Sequence, residues 1–501
     1  VDVLAQIGGS ISALGVVGLL LGRDRPARLL GLGLVVGGGG LVSAGFIPKG
    51  ISLFSALVVA VVFAIVVAAL VLALVRLPWL LPVLVLAGVP VRFPVRLGGA
   101  VYNSFALLYA IIVASTLILL WRIYRGDERS RELGPIAWPL AAYIVWSAVS
   151  LIWSIDIRRG ATEIDAVLLP FTLLAVALAR VPWSRRLIQG LLAQLVVMAL
   201  GFAIVGAYQY ETRDIFWNPK VINANAYAPF FRVNSVFWDP SIYGRFLVLA
   251  ILACLVLVIM RVGRPWSVVA PAVIVALWIG LALSFSQSSF AALAAGIAAG
   301  ALVTWRRRAA IPLTALILVL TPVSLMTSQS VARASSGTTD LSTITSTRST
   351  LVRNGIRIAL DHPMIGVGTG GFRRAYADIT GLSKRRLSKA TSHTTIVTVA
   401  AEEGVIGLLA FLWLLATSLL ATFRGVGSSF TGRVQLACAL GLTAIAVHSL
   451  FYTNFFEDPM TWGFLAVAAG APLALGEVEL SIVSVRSSLV GQRSEAEEAL
   501  G

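Results

Sequence analysis

His393 stands where a long basic segment runs into an apolar one, in "TSHTTIVTVAAEEGVIG". A neutral imidazole at such a junction can accept a proton from an attacking hydroxyl. The plainer reading is an interfacial cap on the helix that begins there. Upstream, "TSTRSTLVRNGIRIALDHP" has the pattern of a helix, with Thr345 or Thr347 capping its start and Pro363 marking its stop. Its expected apolar face holds Leu351, Ile356, Ala359 and Leu360, and Arg353 and Arg357 stack one turn apart, with Arg348 before them. Guanidinium forks match phosphate oxygens in bidentate geometry, so these arginines are candidate anion ligands. A solvated face at the membrane surface is the plainer account of most of them. "GVGTGG" follows at Gly366–Gly371. A Gly-rich turn lets backbone amides approach a phosphate, but this one lacks the lysine and hydroxyl residue of a P-loop and otherwise reads as a flexible turn.

Glu402 and Glu403 fall about ten residues into the next apolar run, where ionisable groups are expensive and usually paired or functional; either would orient an arginine of the basic segment. His362 precedes Pro363 at an expected helix end, and His448 lies within an apolar run, where a packed core histidine is the ordinary reading. No DxD pair and no HExxH is present. A reaction that must tame a phosphate leaving group would therefore rely on guanidinium charge, with no metal and no cofactor expected.

The elements that must position these residues are membrane spans. The chain is 58% hydrophobic and only 12% charged, and its mean hydropathy is +0.91. Soluble domains carry about a quarter charged residues. Apolar runs near the ~20 residues that cross a bilayer recur throughout, and lipid-exposed backbone must bond within its own segment, so an all-α, polytopic bundle of about 12–15 spans is expected. The net charge of +16 would suggest nucleic acid in a soluble protein; in a membrane protein its placement matters more. Cys254 and Cys438 both lie in apolar runs, which excludes a disulfide framework or a cysteine metal cluster. The first apolar run reads as a span rather than a cleavable signal.

Fifteen candidate spans can be marked: 4–22, 27–47, 51–76, 78–97, 101–121, 136–153, 163–180, 187–208, 242–260, 267–284, 288–304, 310–326, 393–423, 433–452 and 460–476. Four prolines make 78–97 the weakest. With the N-terminus outside, the cytoplasmic loops collect Arg23, Arg25, Arg28, Arg76, Arg122, Arg125, Arg129, Arg131, Arg180, Arg185, Arg186, Arg261, Arg264, Arg306, Arg307, Arg308, Arg424 and Arg433. The short loops on the other side hold only Lys49, Arg92, Arg96, Arg158 and Arg159. The expected organisation is additional spans over 1–76, a membrane core over 77–326 with an aromatic outer loop at 209–241, a basic extracytoplasmic loop at 327–392, closing spans over 393–476 and a cytoplasmic tail at 477–501. The basic loop holds ten arginines and lysines against Asp340, Asp361 and Asp378, which asks for a negative partner on the outer face.

Three stretches in this order, "FRVNSVFWDPSIYGRFLVL", "TSTRSTLVRNGIRIALDHPMIGVGTGGF" and "SHTTIVTVAAEEGVIGLLAFL", resemble the O-antigen ligase and polymerase superfamily of integral membrane glycosyltransferases, over roughly 230–460. The resemblance implies a polyprenyl-diphosphate-linked glycan as donor, a lipid or glycan acceptor, transfer on the extracytoplasmic face of a bacterial inner membrane, and no metal or nucleotide sugar. Carried over by position, Arg232 and Arg348 would contact the diphosphate and His393 would assist or position the acceptor; Arg353 and Arg357 are added by the helix argument, with Glu403, Gly366 and Gly368 in support. Two departures stand out. Thr394 follows the histidine where the family often has asparagine, and "SFSQSSF" has Gln287 where it often has arginine. The alternatives are a polymerase of the same superfamily, a lipid-linked glycan flippase or transporter, which should show matched halves with broken helices, and a scaffold binding anionic lipid. Against a transporter, the candidate residues lie on one side and no half is repeated; a scaffold gives no role to His393 or Glu403.

Overall fold

The computed structural model describes residues 2–44, 53–91, 93–97, 100–226, 230–305, 341–381, 392–453 and 455–476. The expected span 310–326, the tail 477–501, Lys49, Arg92, Arg306–Arg308, Arg333, Asp340 and the run from Lys384 to Lys389 lie outside them. Twelve helices among the described residues are long and apolar enough to cross a membrane, so the chain is a multi-pass helical membrane protein. In chain order the helices are α1 (Asp2–Leu21), α2 (Arg25–Ala44), α3 (Leu53–Arg76), α4 (Leu80–Gly88), α5 (Ala106–Tyr124), α6 (Ala137–Val149), α7 (Ile157–Glu163), α8 (Leu169–Ala179), α9 (Arg185–Thr212), α10 (Pro219–Ala226), α11 (Pro240–Ile259), α12 (Gly263–Leu283) and α13 (Gln287–Trp305). After the basic segment come α14 (Leu341–Asp361), α15 (Phe372–Thr380), α16 (Thr395–Arg424), α17 (Phe430–His448) and α18 (Pro459–Gly476).

The expected span 78–97 is different in kind. It is the short helix α4, followed by a strand Phe93–Leu97 paired antiparallel with Ala100–Ser104. Pro90 and Pro94 cannot donate helical hydrogen bonds, so the helix stops and the chain turns back on itself. That hairpin also delays α5, which begins at Ala106 rather than near 101. α7 and α8 form one span through a π-helical turn at Ile164–Leu168.

The crossing of the first two helices requires several of their glycines, among them Gly15, Gly18, Gly31 and Gly38. A Cβ on Gly31 would fall inside the backbone of Gly18 and Leu19, so α1 and α2 approach backbone to backbone. α1 also packs on α6, and Gln6 Nε2 donates to the Ile152 carbonyl at 3.1 Å. α3 remains largely exposed, as a lipid-facing span would be.

The arginine-rich end of the bundle is internally neutralised in one place. Glu132 accepts from Arg28 and, at 2.6 Å, from Arg180 Nε, while Arg180 reaches Asp127 at 3.1 Å. Burial works against charge on Asp127, but the Arg129 amide and the guanidiniums of Arg180 and Arg129 outweigh it and hold that carboxyl below its ordinary value.

Candidate functional site

The candidate residues gather at the opposite end from that network, where α16 begins and α17 ends. α16 is not one straight helix. Gly404 has φ 67° and ψ −165°, a conformation essentially confined to glycine, and it breaks the helix two turns in. A break frees carbonyls of the preceding turn, which must find other donors. Val367 N donates to Ala401 O at 3.0 Å, Gly368 N to Glu402 O at 2.7 Å, and the Trp146 indole to Glu403 O at 2.9 Å. In return, Val405 N donates to Pro363 O at 2.8 Å.

The glycine segment is therefore a wedge rather than an open cradle. Glu402 is buried and its two carboxylate oxygens accept from Gly370 N and Phe372 N, each at 3.0 Å. Thr369 N takes Ser150 Oγ at 3.0 Å, Gly366 N takes His362 O at 3.1 Å and Gly371 N takes Gly368 O at 3.0 Å. Each amide of the segment thus has a partner within the protein. Gly368, at φ 85°, lies against the backbone of Ser154, where a side chain would collide. Glu403 also differs from expectation. It accepts from the Ser147 hydroxyl at 2.7 Å and that of Thr369 at 3.3 Å, fixing the wedge to α6 rather than orienting an arginine. Glu402 is the carboxylate that lies near guanidiniums, those of Arg159 and Arg373.

The wedge seats the basic helix. α14 buries Leu351, Gly355 and Ile358 beside Phe372 and Ala401. Gly355 allows the approach: a Cβ there would come within 2.5 Å of Val397. The expected face is thus rotated, leaving Ile356 47% and Leu360 72% exposed. Arg353 and Arg357 are exposed beside them, and Arg357 faces Asp361 at 3.9 Å, so neither enters the buried layer. Exposed Met364 and Ile365 continue this apolar strip, suited to the membrane interface. Arg348 is placed by its backbone, about two turns up α14 from Gly355.

His393 adopts φ +58° immediately before α16. The turn is pinned to the end of α17: Thr395 N donates to Ser449 O at 2.9 Å and Thr394 Oγ1 to Leu450 O at 3.0 Å. Thr394 thus has a structural role here.

A polar layer continues from that point across the bundle. His448, next to Ser449, is fully buried, and its Nδ1 faces Arg245 Nη1 at 3.4 Å while Nε2 faces Ser288 Oγ at 3.1 Å and Ser241 O at 3.2 Å. Arginine only donates, so Nδ1 is the accepting nitrogen and Nε2 carries the proton. Arg245 Nε pairs with Asp458 at 2.7 Å, with both side chains at least 96% buried. Ser288 meets Ser286 at 3.1 Å, and Ser286 meets Ser289 at 2.8 Å. Two residues earlier, the Ser284 carbonyl accepts Arg232 Nε at 3.2 Å. Asn225 clamps the Arg232 backbone from both sides, at 3.1 and 2.9 Å.

Arg232, through the Ser284 carbonyl, and the backbone turn that follows His393, through Ser449 and Leu450, thus adjoin the layer around His448. Arg245 and Asp458 were legible as ionisable residues in or beside apolar runs, a signal that favours pairing or function. His448 read as packed core, and its partners became visible only once four helices met.

Among the described residues, no group of three or more His, Cys, Asp or Glu side chains is arranged to hold a metal ion. No curated protein matches the chain. Residues 272–412 match the family model described as O-antigen ligase, and through this segment, which runs from α12 past the glycine wedge into α16, the chain is similar to the O-antigen ligase superfamily.

Proposed function

We propose that this protein transfers a glycan from a polyprenyl-diphosphate carrier to an acceptor hydroxyl on the extracytoplasmic face of a bacterial inner membrane, as a metal-independent, O-antigen ligase-like glycosyltransferase. The reading is supported most by one observation. Arg232 and His393, far apart in sequence, meet a single polar layer at the end of the bundle opposite the arginine-rich loops.

In this reaction the acceptor oxygen attacks the anomeric carbon, its proton passes to the His393 imidazole, and the bond from carbon to phosphate oxygen breaks. The electron pair leaves with the diphosphate. Arg232 and Arg348 bind that group more strongly as its charge grows, which is the interaction that accelerates the step. The Ser284 carbonyl holds Arg232 through Nε, so the guanidinium is oriented before substrate arrives.

The test is glycan transfer by purified protein from a defined lipid-linked oligosaccharide. His393→Ala and Arg348→Ala abolish transfer while expression and membrane insertion persist; full activity in both removes the assignment. Arg232→Ala lowers the rate on the order of 100-fold. Turnover persists in EDTA; loss restored by Mg²⁺ overturns the metal-free step. Product size separates the two members of the superfamily: one capped product marks a ligase, a ladder marks a polymerase.

A further inference from the structure

A cavity of about 560 Å³ lies between α4, α9, α11, α17 and α18, and its wall at Pro459 and Met460 adjoins Asp458 of the polar layer. Its mouth lies at the other end: Phe430, Arg433 and Val434 at the start of α17 line the cavity, while His448 at the end of that helix belongs to the layer. The walls are apolar, among them Leu86, Leu195, Val256, Ala437, Phe464 and Val467.

Its arginine-rich end has a different chemistry. Arg185 opens α9 and stands 4.8 Å over the Phe430 ring, and Arg433 is one turn beyond Phe430 on α17. Trp183 and Trp266 line the same end, as expected where a bilayer meets water. The three loops that converge there, 181–186, 260–266 and 424–433, contain six arginines and no acid. Among the described residues neither Arg185 nor Arg433 forms an ion pair. Arg185 opens its helix and Arg433 follows the first turn of its own, ends where the macrodipole disfavours cations and favours an anion. Two guanidiniums, two helix N-termini and an indole pair thus frame an anion, and an apolar cavity continues behind them. Basic pockets of this kind between membrane helices on the cytoplasmic side suit anionic lipid headgroups.

We propose that this cavity binds an anionic glycerophospholipid of the cytoplasmic leaflet, its phosphate between Arg185 and Arg433 and an acyl chain among the apolar walls. This inference does not rest on the transfer reaction.

The experiment exposes the purified full chain in detergent to phosphatidylglycerol, phosphatidylcholine or polyprenyl phosphate and counts bound lipid by native mass spectrometry. Wild type retains phosphatidylglycerol in preference to phosphatidylcholine. The double variant Arg185→Gln/Arg433→Gln, altered only at the mouth, loses that preference by about tenfold or more. Arg424→Gln, at the same end but outside the cavity lining, keeps it. Ala437→Phe, which fills the cavity, loses the lipid with the arginines intact. Equal retention of phosphatidylcholine, or wild-type retention of phosphatidylglycerol in the double variant, overturns the proposal. So does polyprenyl phosphate displacing phosphatidylglycerol, which would make the cavity a carrier-chain site.

Discussion

Replacing Glu402 by glutamine should loosen the wedge while leaving the bundle intact. The carboxylate accepts two buried amides, Gly370 N and Phe372 N, both at 3.0 Å. A hydrogen bond to a charged group contributes about 1.5–3 kcal/mol. Glutamine keeps one acceptor and turns an NH₂ toward the second amide, so one buried N–H loses its partner and the surviving bond loses its charge. A local cost of about 2 kcal/mol follows, which corresponds to roughly a 30-fold rise in the open population of the segment. Hydrogen exchange reads this directly, because the amides of Gly366 to Phe372 exchange through local opening. Their protection should fall by that factor in Glu402→Gln, with α5, α8 and α11 unchanged. Transfer should fall with it, since the wedge seats α14 and Arg348. Unchanged protection at Gly370 and Phe372, or an equal loss everywhere, would refute the reasoning.

Gly404→Ala forces a side chain into a glycine-only conformation against Met364, a strain of about 1–3 kcal/mol before any clash; the thermal midpoint and transfer should both drop, whereas Gly201→Ala, where a Cβ meets open space, should be silent. Asp458→Asn keeps the side-chain oxygen that accepts Met460 N at 3.0 Å but removes the negative charge facing the buried Arg245 guanidinium, so unfolding in detergent should show a loss of about 3–5 kcal/mol, and Arg245→Met/Asp458→Asn together should cost less. At the other end, the Asp127 carboxyl is held below its ordinary value. Its stabilising effect is complete above the unfolded-state carboxylate range and disappears as pH falls through the depressed folded value, so Asp127→Asn should lower the thermal midpoint at neutral pH and match wild type in strong acid.

Sequence alone determined the solvent of the fold. Apolar runs near twenty residues require helices in lipid because no water is available to satisfy the backbone. The arginine asymmetry carries only an expectation of which ends face the cytoplasm, and the position of His393 beside a span was legible from the change in composition. The glycine segment shows the limit of such reading. Its spacing suited either a phosphate turn or a flexible one, and the choice depended on where its amides go. That became decidable only when Gly404 broke α16, freed the carbonyls of Ala401 and Glu402, and left Glu402 facing Gly370 and Phe372. The face of α14 turned for the same reason, since Gly355 admits Val397 and Phe372 where a larger residue would not. Arg245, His448 and Asp458 are separated by up to 213 positions, and no local pattern joins them. What makes them one network is the cost of a buried charge without a partner, a cost incurred only after tertiary packing has removed the water.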